Sequence, residues 1–359
     1  MMATDPKEAL VIASSELPPI LAGHDSPLVQ RKAREFYASV AEMFEAWVAR
    51  SANRNTQRAY RADVMSLVDF LELEWPREAG HLLLTTIADV RDWRTHLDED
   101  QHVAPKTLNR RLSSVSSFFE FMRGAASDAR LPILIQNPAQ RDFIGRPAVD
   151  PVTETKALTP GLARKLMNMP SGDSPIELRD RAILKFYLFT GARIGTGCRL
   201  RVEDFHWDEH DSQVRVQEKG RGRAKRAIGI HSEAAEAIHE YIQRAGLKAG
   251  PLFRARRGHG EQLEARGISV TAMYLLLTGY LKRLSRAKVT VELKDGTSVE
   301  RCIYSPHSLR ATTATLLLAQ GVDIVDVQTL LGHKHVTTTQ IYDKRVRQTR
   351  DSASHKISF

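Results

Sequence analysis

Four prolines divide this chain into two blocks. They fall between residues 125 and 157, at Pro132, Pro138, Pro147 and Pro151. A proline inside a helix lacks the backbone N–H and clashes with the preceding turn, so an extended linker is predicted over 126–157. Such a linker is long enough to pass around another molecule. Because the whole chain has 359 residues, two domains are expected, one on each side of the linker.

The block before the linker has the residue spacing of a helical domain. Apolar side chains recur every three or four residues, as in the stripe formed by Tyr60, Val64, Leu67, Val68 and Leu71. Thr86, with Asp89 three residues later, predicts a capping box at one helix start, and Gly124 predicts the end of the last helix. We expect four helices in a helical domain over 35–125, preceded by a flexible N-terminal arm over 1–34.

The block after the linker, 158–359, predicts a mixed domain with a C-terminal tail. Ser174, followed three residues later by Glu177, predicts a helix start, and Thr337 with Gln340 predicts another. Two stretches, SQVRVQEKGRGRAKRAIGI and KVTVELKDGTSVERCI, have short β-like runs on either side of glycine-containing turns, which predicts two hairpins. The fold class is therefore predicted as α+β: mostly α-helical, with a small antiparallel β-sheet in this second domain.

The charge of the chain favours a polyanionic partner. Its 52 Lys and Arg residues against 43 Asp and Glu give a formal net charge of +9 and a pI near 9.6. Such a basic protein often binds nucleic acid, although charge alone is a weak indication. No apolar run approaches the length of a membrane span, and the N-terminus lacks the basic start and apolar core of a signal peptide. A cytoplasmic protein without a membrane partner is expected.

Six polar residues near the ends of predicted helices and turns form a set with a shared chemistry. His307 and Arg310 lie one helical turn apart and so share a face. Gly332 ends the next predicted helix immediately before His333, and Tyr342 belongs to the helix after it. Upstream, an arginine follows "TGA" and a lysine lies in the basic hairpin turn, at Arg193 and Lys219. The set offers two guanidinium groups, two imidazoles, an ammonium and a phenol.

These six groups suit nucleophilic attack on a phosphodiester. The phosphodiester gains negative charge on its non-bridging oxygens, and each arginine can offer those oxygens a pair of N–H donors. A phenol is almost fully protonated at neutral pH, so it needs nearby cations and a histidine that accepts its proton. A lysine can protonate the leaving oxygen. Because arginine supplies the positive charge and no carboxylate cluster with magnesium spacing stands out, neither a metal nor another cofactor is expected.

At these positions the sequence resembles the tyrosine recombinases, also called the phage integrase family. The resemblance rests on five motifs that occur in the order of that family: TGARI, EKGRGRAKR, HSLR, LLGH and TTTQIYDKR. It covers the second block well, and the helical block at 40–124 resembles the core-binding domain of the family. Any one of these motifs would be weak alone, whereas the ordered set is highly specific.

The resemblance implies a role for each of these side chains. Tyr342 would be the nucleophile that forms a 3′-phosphotyrosyl bond with DNA. Arg193 and Arg310 would clamp the scissile phosphate. His307 would act as general base or proton shuttle, and His333 would donate a hydrogen bond to the phosphate.

Three features depart from the family pattern. The resemblance implies that Lys219 protonates the 5′-hydroxyl leaving group, but the turn is longer than usual, so Lys225 is the alternative. The family usually has an acidic residue three positions after its first arginine, where this chain has Thr196, so the role of that acid must be shared or lost. The hairpin over 289–302 resembles an insertion that would contact DNA or a neighbouring subunit, or only cover an edge.

Basic side chains outside the catalytic set are candidates for contacts with the DNA backbone. In the first block they lie on or near the polar faces of two helices, and in the second they belong to the basic hairpin. They are Arg58, Arg61, Lys106, Arg110 and Arg111 in the first block, and Arg221, Arg223, Lys225 and Arg226 in the second. Together with the catalytic set they predict double-stranded DNA as the partner.

The resemblance also implies a two-domain, C-shaped clamp around duplex DNA. A free monomer would assemble into a tetramer on two recombination sites and exchange strands through a Holliday junction, as in the movement of a mobile element. Two other interpretations stay open: a type IB topoisomerase-like relaxing enzyme, and a non-catalytic DNA-binding accessory protein, which only Thr196 favours. The residues do not fix the target site, or the choice among integration, excision, inversion, resolution and transposition.

Overall fold

The chain divides into two compact units, unit 1 (Met1–Val149) and unit 2 (Asp150–Phe359). The computed structural model describes residues 27–131, 133–148, 155–217, 224–258, 260, 262–292 and 297–343. Most of the predicted arm and of the predicted C-terminal tail lies outside these residues. The described part is mostly helical with small antiparallel sheets, so the predicted α+β fold class is confirmed. None of its helices is both long enough and apolar enough to cross a membrane.

Unit 1 is built from helices. They are α1 (Pro27–Ala38), α2 (Val40–Ala49), α3 (Arg54–Phe70), α4 (Ile87–Thr95) and α5 (Pro105–Asp128), with a 3₁₀ helix at Ala79–Leu84 and a π-helical turn at His96–Asp100. The predicted capping box at the start of α4 is confirmed. Asp89 N donates to Thr86 Oγ1 at 3.2 Å, and Thr86 N donates to Asp89 Oδ2 at 2.7 Å. These bonds satisfy amides that a helix start otherwise leaves unpaired.

An aromatic core joins the helices of unit 1. Trp47 on α2 and Phe118 on α5 are each 1% exposed, and their ring centroids lie 5.2 Å apart. Phe44 packs edge-on against Phe118 with a centroid separation of 5.4 Å. Burying a side chain of this kind contributes about 1.5–3 kcal/mol. The stripe predicted on α3 faces this core, where Val64 and Leu67 are buried.

The structure adds a helix at the start of unit 1 and corrects one predicted helix end. Helix α1 begins at Pro27 and buries Ala33, so the end of the predicted arm is helical. The predicted helix end at Gly124 is wrong, because α5 continues to Asp128. Ala126, in that last turn, is buried in the core, and this packing offsets the cost of an exposed glycine in the helix.

The predicted linker belongs in part to unit 1. Residues 133–148 form neither helix nor strand, but Ile135 and Ile144 are buried in the aromatic core. Asn137 Nδ2 donates to Ser116 O at 3.0 Å, which ties the same segment to α5. These contacts replace the free extended chain that the prolines suggested.

Within its described residues, unit 2 combines helices with three small sheets. Its helices are α6 (Pro160–Met167), α7 (Pro175–Thr190), α8 (Ile194–Arg199), α9 (Ser232–Arg244), α10 (Val270–Lys282), α11 (Pro306–Ala319), α12 (Ile324–Leu331) and α13 (Thr337–Gln340). Its strands are β1 (Phe205–His206), β2 (Gln213–Gln217), β3 (Lys225–Gly229), β4 (Arg254–Arg256), β5 (Leu263–Gly267), β6 (Lys288–Glu292) and β7 (Ser298–Cys302). A short 3₁₀ helix, Val202–Asp204, precedes β1.

Both predicted hairpins are confirmed in the residues that the structure describes. Strands β2 and β3 pair antiparallel with Val214 opposite Ile228, and β1 joins them in a three-stranded sheet. Strands β6 and β7 pair antiparallel with Val291 opposite Val299. The turns of the two hairpins, 218–223 and 293–296, lie outside the described residues.

Helix α7 runs through the core of unit 2. Its predicted start is confirmed, because Glu177 N donates to the N-cap Ser174 Oγ at 3.4 Å. Phe186 and Tyr187 on its later turns are buried among residues of α9, α10 and the three-stranded sheet. The helix ends at Gly191, which has a φ of +59° in the left-handed region that glycine tolerates best.

Candidate active site

Helix α11 carries the predicted His-x-x-Arg pair. Arg310 is 2% exposed, and its Nη1 donates to Gly191 O at 2.7 Å while its Nη2 donates to Leu331 O at 2.9 Å. A buried guanidinium group needs such acceptors, and two rigid carbonyl oxygens fix its plane. His307, one turn earlier, is exposed. The pair therefore presents one immobilised cation and one accessible imidazole.

The ends of α7 and α12 lie close to α11 and hold Arg310 in place. A Cβ at Gly191 would lie 2.4 Å from Leu331 Cδ2 and 3.2 Å from Thr313 Cβ, so only glycine lets the end of α7 reach α11 and α12. Arg193 follows two residues later as the N-cap of α8 and is half-buried. The TGAR motif thus brings the second arginine to the end of α7, next to the first.

His333 directly follows the glycine that ends α12. Gly332 has a φ of +66°, and His333 N donates back to Gln328 O at 3.1 Å. The imidazole is 8% exposed, with its Nδ1 2.8 Å from Thr339 Oγ1. Burial is the largest cause that lowers the pKa of His333, and the positive charges of Arg310, Arg193 and His307 add to it; together they bring the pKa to about 4. His333 is therefore neutral at neutral pH.

Tyr342 lies against both histidines. Its Oη is 3.1 Å from His307 Nε2, and its ring is nearly parallel to that of His333, with centroids 6.1 Å apart. Burial raises the pKa of Tyr342 above 10.0, while Arg310 and Arg193 act in the opposite direction. Arg310 also contributes a hydrogen bond that lowers the pKa. The phenol is therefore protonated at neutral pH but surrounded by groups that stabilise its anion.

The structure thus brings five of the six predicted catalytic residues together. They are Arg193, His307, Arg310, His333 and Tyr342. The sixth, Lys219, lies outside the described residues, as do the candidate DNA contacts Arg221 and Arg223. The alternative lysine, Lys225, forms an ion pair with the buried carboxylate of Asp204 at 2.5 Å. Its neighbour Arg226 donates from Nη2 to Leu330 O at 3.2 Å, which joins strand β3 to the end of α12.

Comparison with known proteins identifies the family. The family profile described as "Phage integrase family" matches residues 156–348, more than half of the chain. The chain belongs to the phage integrase family. A second profile, "Phage integrase, N-terminal SAM-like domain", matches residues 44–125, within unit 1.

Curated relatives of this integrase-family chain are tyrosine recombinases. It is 31% identical over 306 residues to tyrosine recombinase XerC of Herpetosiphon aurantiacus, covering 84% of this chain and 89% of the relative. It is also 31% identical over 300 residues to tyrosine recombinase XerD of Bifidobacterium longum, covering 82% and 88%. The chain is thus an enzyme of the tyrosine recombinase class, which transfers DNA strands.

Solved structures share the fold of this integrase-family chain. The XerH site-specific recombinase bound to difH substrate, in a pre-cleavage complex, aligns with a TM-score of 0.62 at 15% identity, covering 93% of this chain and 89% of that one. The Tn1549 transposon integrase in complex with transposon right end DNA aligns with a TM-score of 0.62 at 16% identity, covering 88% and 98%. At these identities the likeness establishes the fold.

Helix α8 contains Thr196, at the position where the family usually has an acidic residue. Thr196 is 5% exposed, and its N donates to Arg193 O at 2.8 Å. Gly197 packs directly on α7, because a Cβ there would lie 2.3 Å from Tyr187 Oη. Tyr187 Oη in turn donates to Ile194 O at 2.6 Å. In this member of the family, a tyrosine of α7 thus supports the turn that presents Arg193.

The basic residues predicted to contact DNA in unit 1 have different environments. Arg58 and Lys106 are exposed. Arg61 forms an ion pair with Glu45. Arg110 Nη1 lies 2.5 Å from the buried Asp63 Oδ2, and Arg111 Nη1 donates to Ser66 Oγ at 2.9 Å. The last two arginines therefore have structural partners within unit 1, in addition to any role at DNA.

Thr339 is a site residue that the sequence analysis missed. The capping box predicted for Thr337 and Gln340 is wrong, because the N-cap of α13 is Val336 and no side chain caps the helix. The third threonine of the run contacts His333 instead. Its position one helical turn before Tyr342 was the available signal.

The described residues contain no candidate metal site. Among them, no three His, Cys, Asp or Glu side chains are grouped so that they could hold a metal ion. The positive charge next to Tyr342 comes from the guanidinium groups of Arg310 and Arg193.

Proposed function

We propose that this protein is a site-specific DNA recombinase that cuts DNA through a 3′-phosphotyrosyl bond to Tyr342. The observation that supports this most directly is the 3.1 Å distance between Tyr342 Oη and His307 Nε2, next to the anchored guanidinium of Arg310. A phenol, a proton acceptor and a fixed cation within contact of one another are the groups that attack on a phosphodiester requires.

The cleavage step can be written with these groups. Tyr342 Oη forms a bond to the phosphorus, and its proton passes to His307 Nε2. The bond between the phosphorus and the 5′ oxygen breaks, and Lys219 donates a proton to that oxygen. The charge on the non-bridging oxygens is balanced by Arg193 and Arg310, and preorganised donors of this kind contribute about 10²–10³ in rate each.

The directions of the pKa shifts at Tyr342 and His333 agree with this step. Burial keeps Tyr342 protonated at neutral pH, so its proton must leave as the new bond forms. His333 is neutral and can donate one N–H to the phosphate without adding a charge. One phosphodiester-type bond replaces another, so the reaction needs no ATP.

The assembly belongs to the same proposal. Unit 1 and unit 2 would form a C-shaped clamp around duplex DNA, with residues 35–125 as core-binding domain and 158–359 as catalytic domain. Four protomers would act on two sites through a Holliday junction, and the tail after Tyr342 would dock on a neighbouring protomer. Support comes from the net charge of +9 and from the DNA-bound structures of proteins with the same fold. Movement of a mobile element is the proposed biological setting.

The basic residues would then contact the DNA backbone. In unit 1 the proposal assigns these contacts to Arg58, Arg61, Lys106, Arg110 and Arg111, of which Arg61, Arg110 and Arg111 also pair with side chains of unit 1. In unit 2 the proposal assigns the phosphate contacts to Arg221, Arg223 and Arg226. For the general acid it keeps Lys219, since Lys225 is paired with Asp204.

A nicked suicide duplex tests the chemistry. The duplex carries an inverted repeat found next to the coding sequence, with a nick placed so that the short fragment beyond the cut diffuses away. We expect a covalent protein–DNA complex that resists denaturing gel electrophoresis and is absent with Tyr342→Phe. A complex that forms equally well with Tyr342→Phe would remove Tyr342 from the nucleophilic role, and no complex with the unmodified protein would support the accessory-protein interpretation.

A plasmid assay separates recombination from relaxation. One plasmid carries two copies of the same inverted repeat, and its control carries none. The proposal predicts rearranged products from the first plasmid alone. Relaxation of both plasmids without rearrangement would favour the topoisomerase-like alternative.

A further inference from the structure

Thr339 stands apart from the two threonines that precede it. Thr337 and Thr338 are exposed, whereas Thr339 is completely buried. Its Oγ1 lies 2.8 Å from His333 Nδ1, and its backbone O accepts from Tyr342 N at 3.0 Å. Thr339 thus contacts both His333, the proposed hydrogen-bond donor to the phosphate, and the backbone of Tyr342, the proposed nucleophile.

The Thr339 contact bears on which nitrogen of His333 carries the proton. His333 is neutral at neutral pH and so has a single ring N–H. If Nδ1 carried it, that N–H would donate to Oγ1, and the hydroxyl hydrogen of Thr339 would need an acceptor elsewhere in a fully buried position. Within the described part of the chain, the polar partner of this hydroxyl is His333 Nδ1. A buried donor without an acceptor is unfavourable.

The opposite arrangement satisfies both groups. If the Thr339 hydroxyl donates to Nδ1, the hydroxyl hydrogen has an acceptor and the imidazole keeps its proton on Nε2. We propose that Thr339 is a positioning residue that fixes His333 as the Nε2–H tautomer and links this hydrogen bond to the backbone of Tyr342. The catalytic meaning of the contact rests on the proposed function, in which His333 donates to the phosphate.

The tautomer matters because a phosphate oxygen only accepts hydrogen bonds. An Nε2–H donor stabilises charge on that oxygen, whereas a bare Nε2 lone pair would repel it. Loss of one such donor costs about 10²–10³ in rate in other enzymes. A variant without the hydroxyl still populates both tautomers, so part of the protein keeps the Nε2–H donor. We therefore expect the rate of the covalent step to fall about tenfold or more, but by less than complete loss of the donor would cause.

Three variants test the kinetic consequence on the suicide duplex. Thr339→Val replaces the hydroxyl by a methyl group of similar size, Thr339→Ser keeps the hydroxyl, and Thr338→Val makes the same change at the exposed neighbour. At saturating duplex we expect a slower covalent step for Thr339→Val, substantial recovery for Thr339→Ser and an unchanged rate for Thr338→Val. An unchanged rate for Thr339→Val, or an equal loss in Thr339→Ser, would contradict the proposal.

A spectroscopic measurement tests the tautomer without DNA or activity. Two-bond ¹H–¹⁵N correlations of protein labelled with ¹⁵N-histidine distinguish a protonated Nε2 from a protonated Nδ1, and His333→Gln identifies the signals of this residue. We expect Nε2–H for the unmodified protein and a mixture for Thr339→Val. A protonated Nδ1 in the unmodified protein would overturn the proposal, even if Thr339→Val proved unable to fold.

The two experiments also separate this inference from the proposed function. If the unmodified protein forms no Tyr342-linked complex, the function fails, while the spectrum still decides the tautomer. If the complex forms but the spectrum shows Nδ1–H, the function stands and the role of Thr339 is wrong.

Discussion

Two N–H groups of Arg310 donate hydrogen bonds to backbone carbonyl oxygens before any substrate is bound. Gly191 O and Leu331 O accept these bonds, so the side chain has no rotamer freedom left to lose when a phosphate binds. The remaining donors of the guanidinium fork can serve Tyr342 and the substrate. At the residue scale, the chemistry therefore depends on which neighbours hold each side chain still.

The contact between Gly197 and Tyr187 gives a prediction about stability. The Cβ introduced by Gly197→Ala would lie 2.3 Å from Tyr187 Oη, which is buried and bonded to Ile194 O. We expect the free energy of unfolding, measured by urea denaturation, to fall by about 1–3 kcal/mol. Cleavage should slow as well, because the displaced turn presents Arg193.

Gly195→Ala is the matched control in the same helix. Its Cβ would meet only the flexible end of Arg199 at 3.2 Å, and the gain in helix propensity is up to about 1 kcal/mol. We expect unchanged or slightly higher stability. If both alanines change the free energy of unfolding equally, the contact with Tyr187 does not explain why position 197 is a glycine.

The lowered pKa of His333 predicts a dependence of stability on pH. In the unfolded chain this imidazole binds a proton near pH 6.5, and in the folded chain near pH 4. Between these values the unfolded state binds more protons, so the stability contributed by neutral His333 is present above pH 6.5 and is lost as the pH falls. The Tm of His333→Gln should decline less over this range than that of the unmodified protein. Parallel declines would contradict the burial of a neutral imidazole.

At the scale of elements, we expect the β6–β7 hairpin to contribute little to the stability of unit 2. Most residues of both strands are exposed, including Val289 and Val299 at 42% and 41%. Ile303 N donates to Ala287 O at 2.8 Å, so the chain is already closed at the base of the hairpin. An isolated two-stranded hairpin is at best marginally stable in water. The β6–β7 hairpin is therefore stabilised by its attachment to unit 2.

Deletion of the hairpin tests this view. We expect that replacing residues 289–301 by Asn-Gly, which favours a tight turn between Lys288 and Cys302, changes the free energy of unfolding by less than about 1 kcal/mol. Urea denaturation measures the change. A loss of several kcal/mol would mean that the hairpin belongs to the core. If stability holds but recombination is lost, its role is contact with DNA or another subunit.

The start of a helix could be predicted where its capping residues lie close together in the sequence. The caps at Thr86 and Ser174 depend on residues three positions apart, and the structure confirms both. The failures at Gly124 and Thr337 have a tertiary cause. Ala126 extends α5 by packing into the core, and Thr339 turns the third threonine of its run toward a histidine six residues away. The spacing rules for helix caps predict neither contact.

At the scale of the whole molecule, the order of the motifs carried more information than any single motif. Spacing placed His307 and Arg310 on one face, and the resemblance added Arg193, His333 and Tyr342 to the same site. The carbonyl oxygens that anchor Arg310, and the depth of burial that sets the pKa of His333, come from segments far apart in sequence. These features follow from how the helices of unit 2 pack, which the sequence pattern alone does not determine.

The most direct test of the central claim is the identity of the residue joined to DNA. The covalent complex trapped on the suicide duplex is digested with a protease and a nuclease, and mass spectrometry locates the nucleotide remnant. The account predicts a 3′-phosphoryl remnant on the peptide that contains Tyr342, with no other tyrosine of the chain modified. A remnant on another residue, or one attached through a 5′-phosphate, would contradict it.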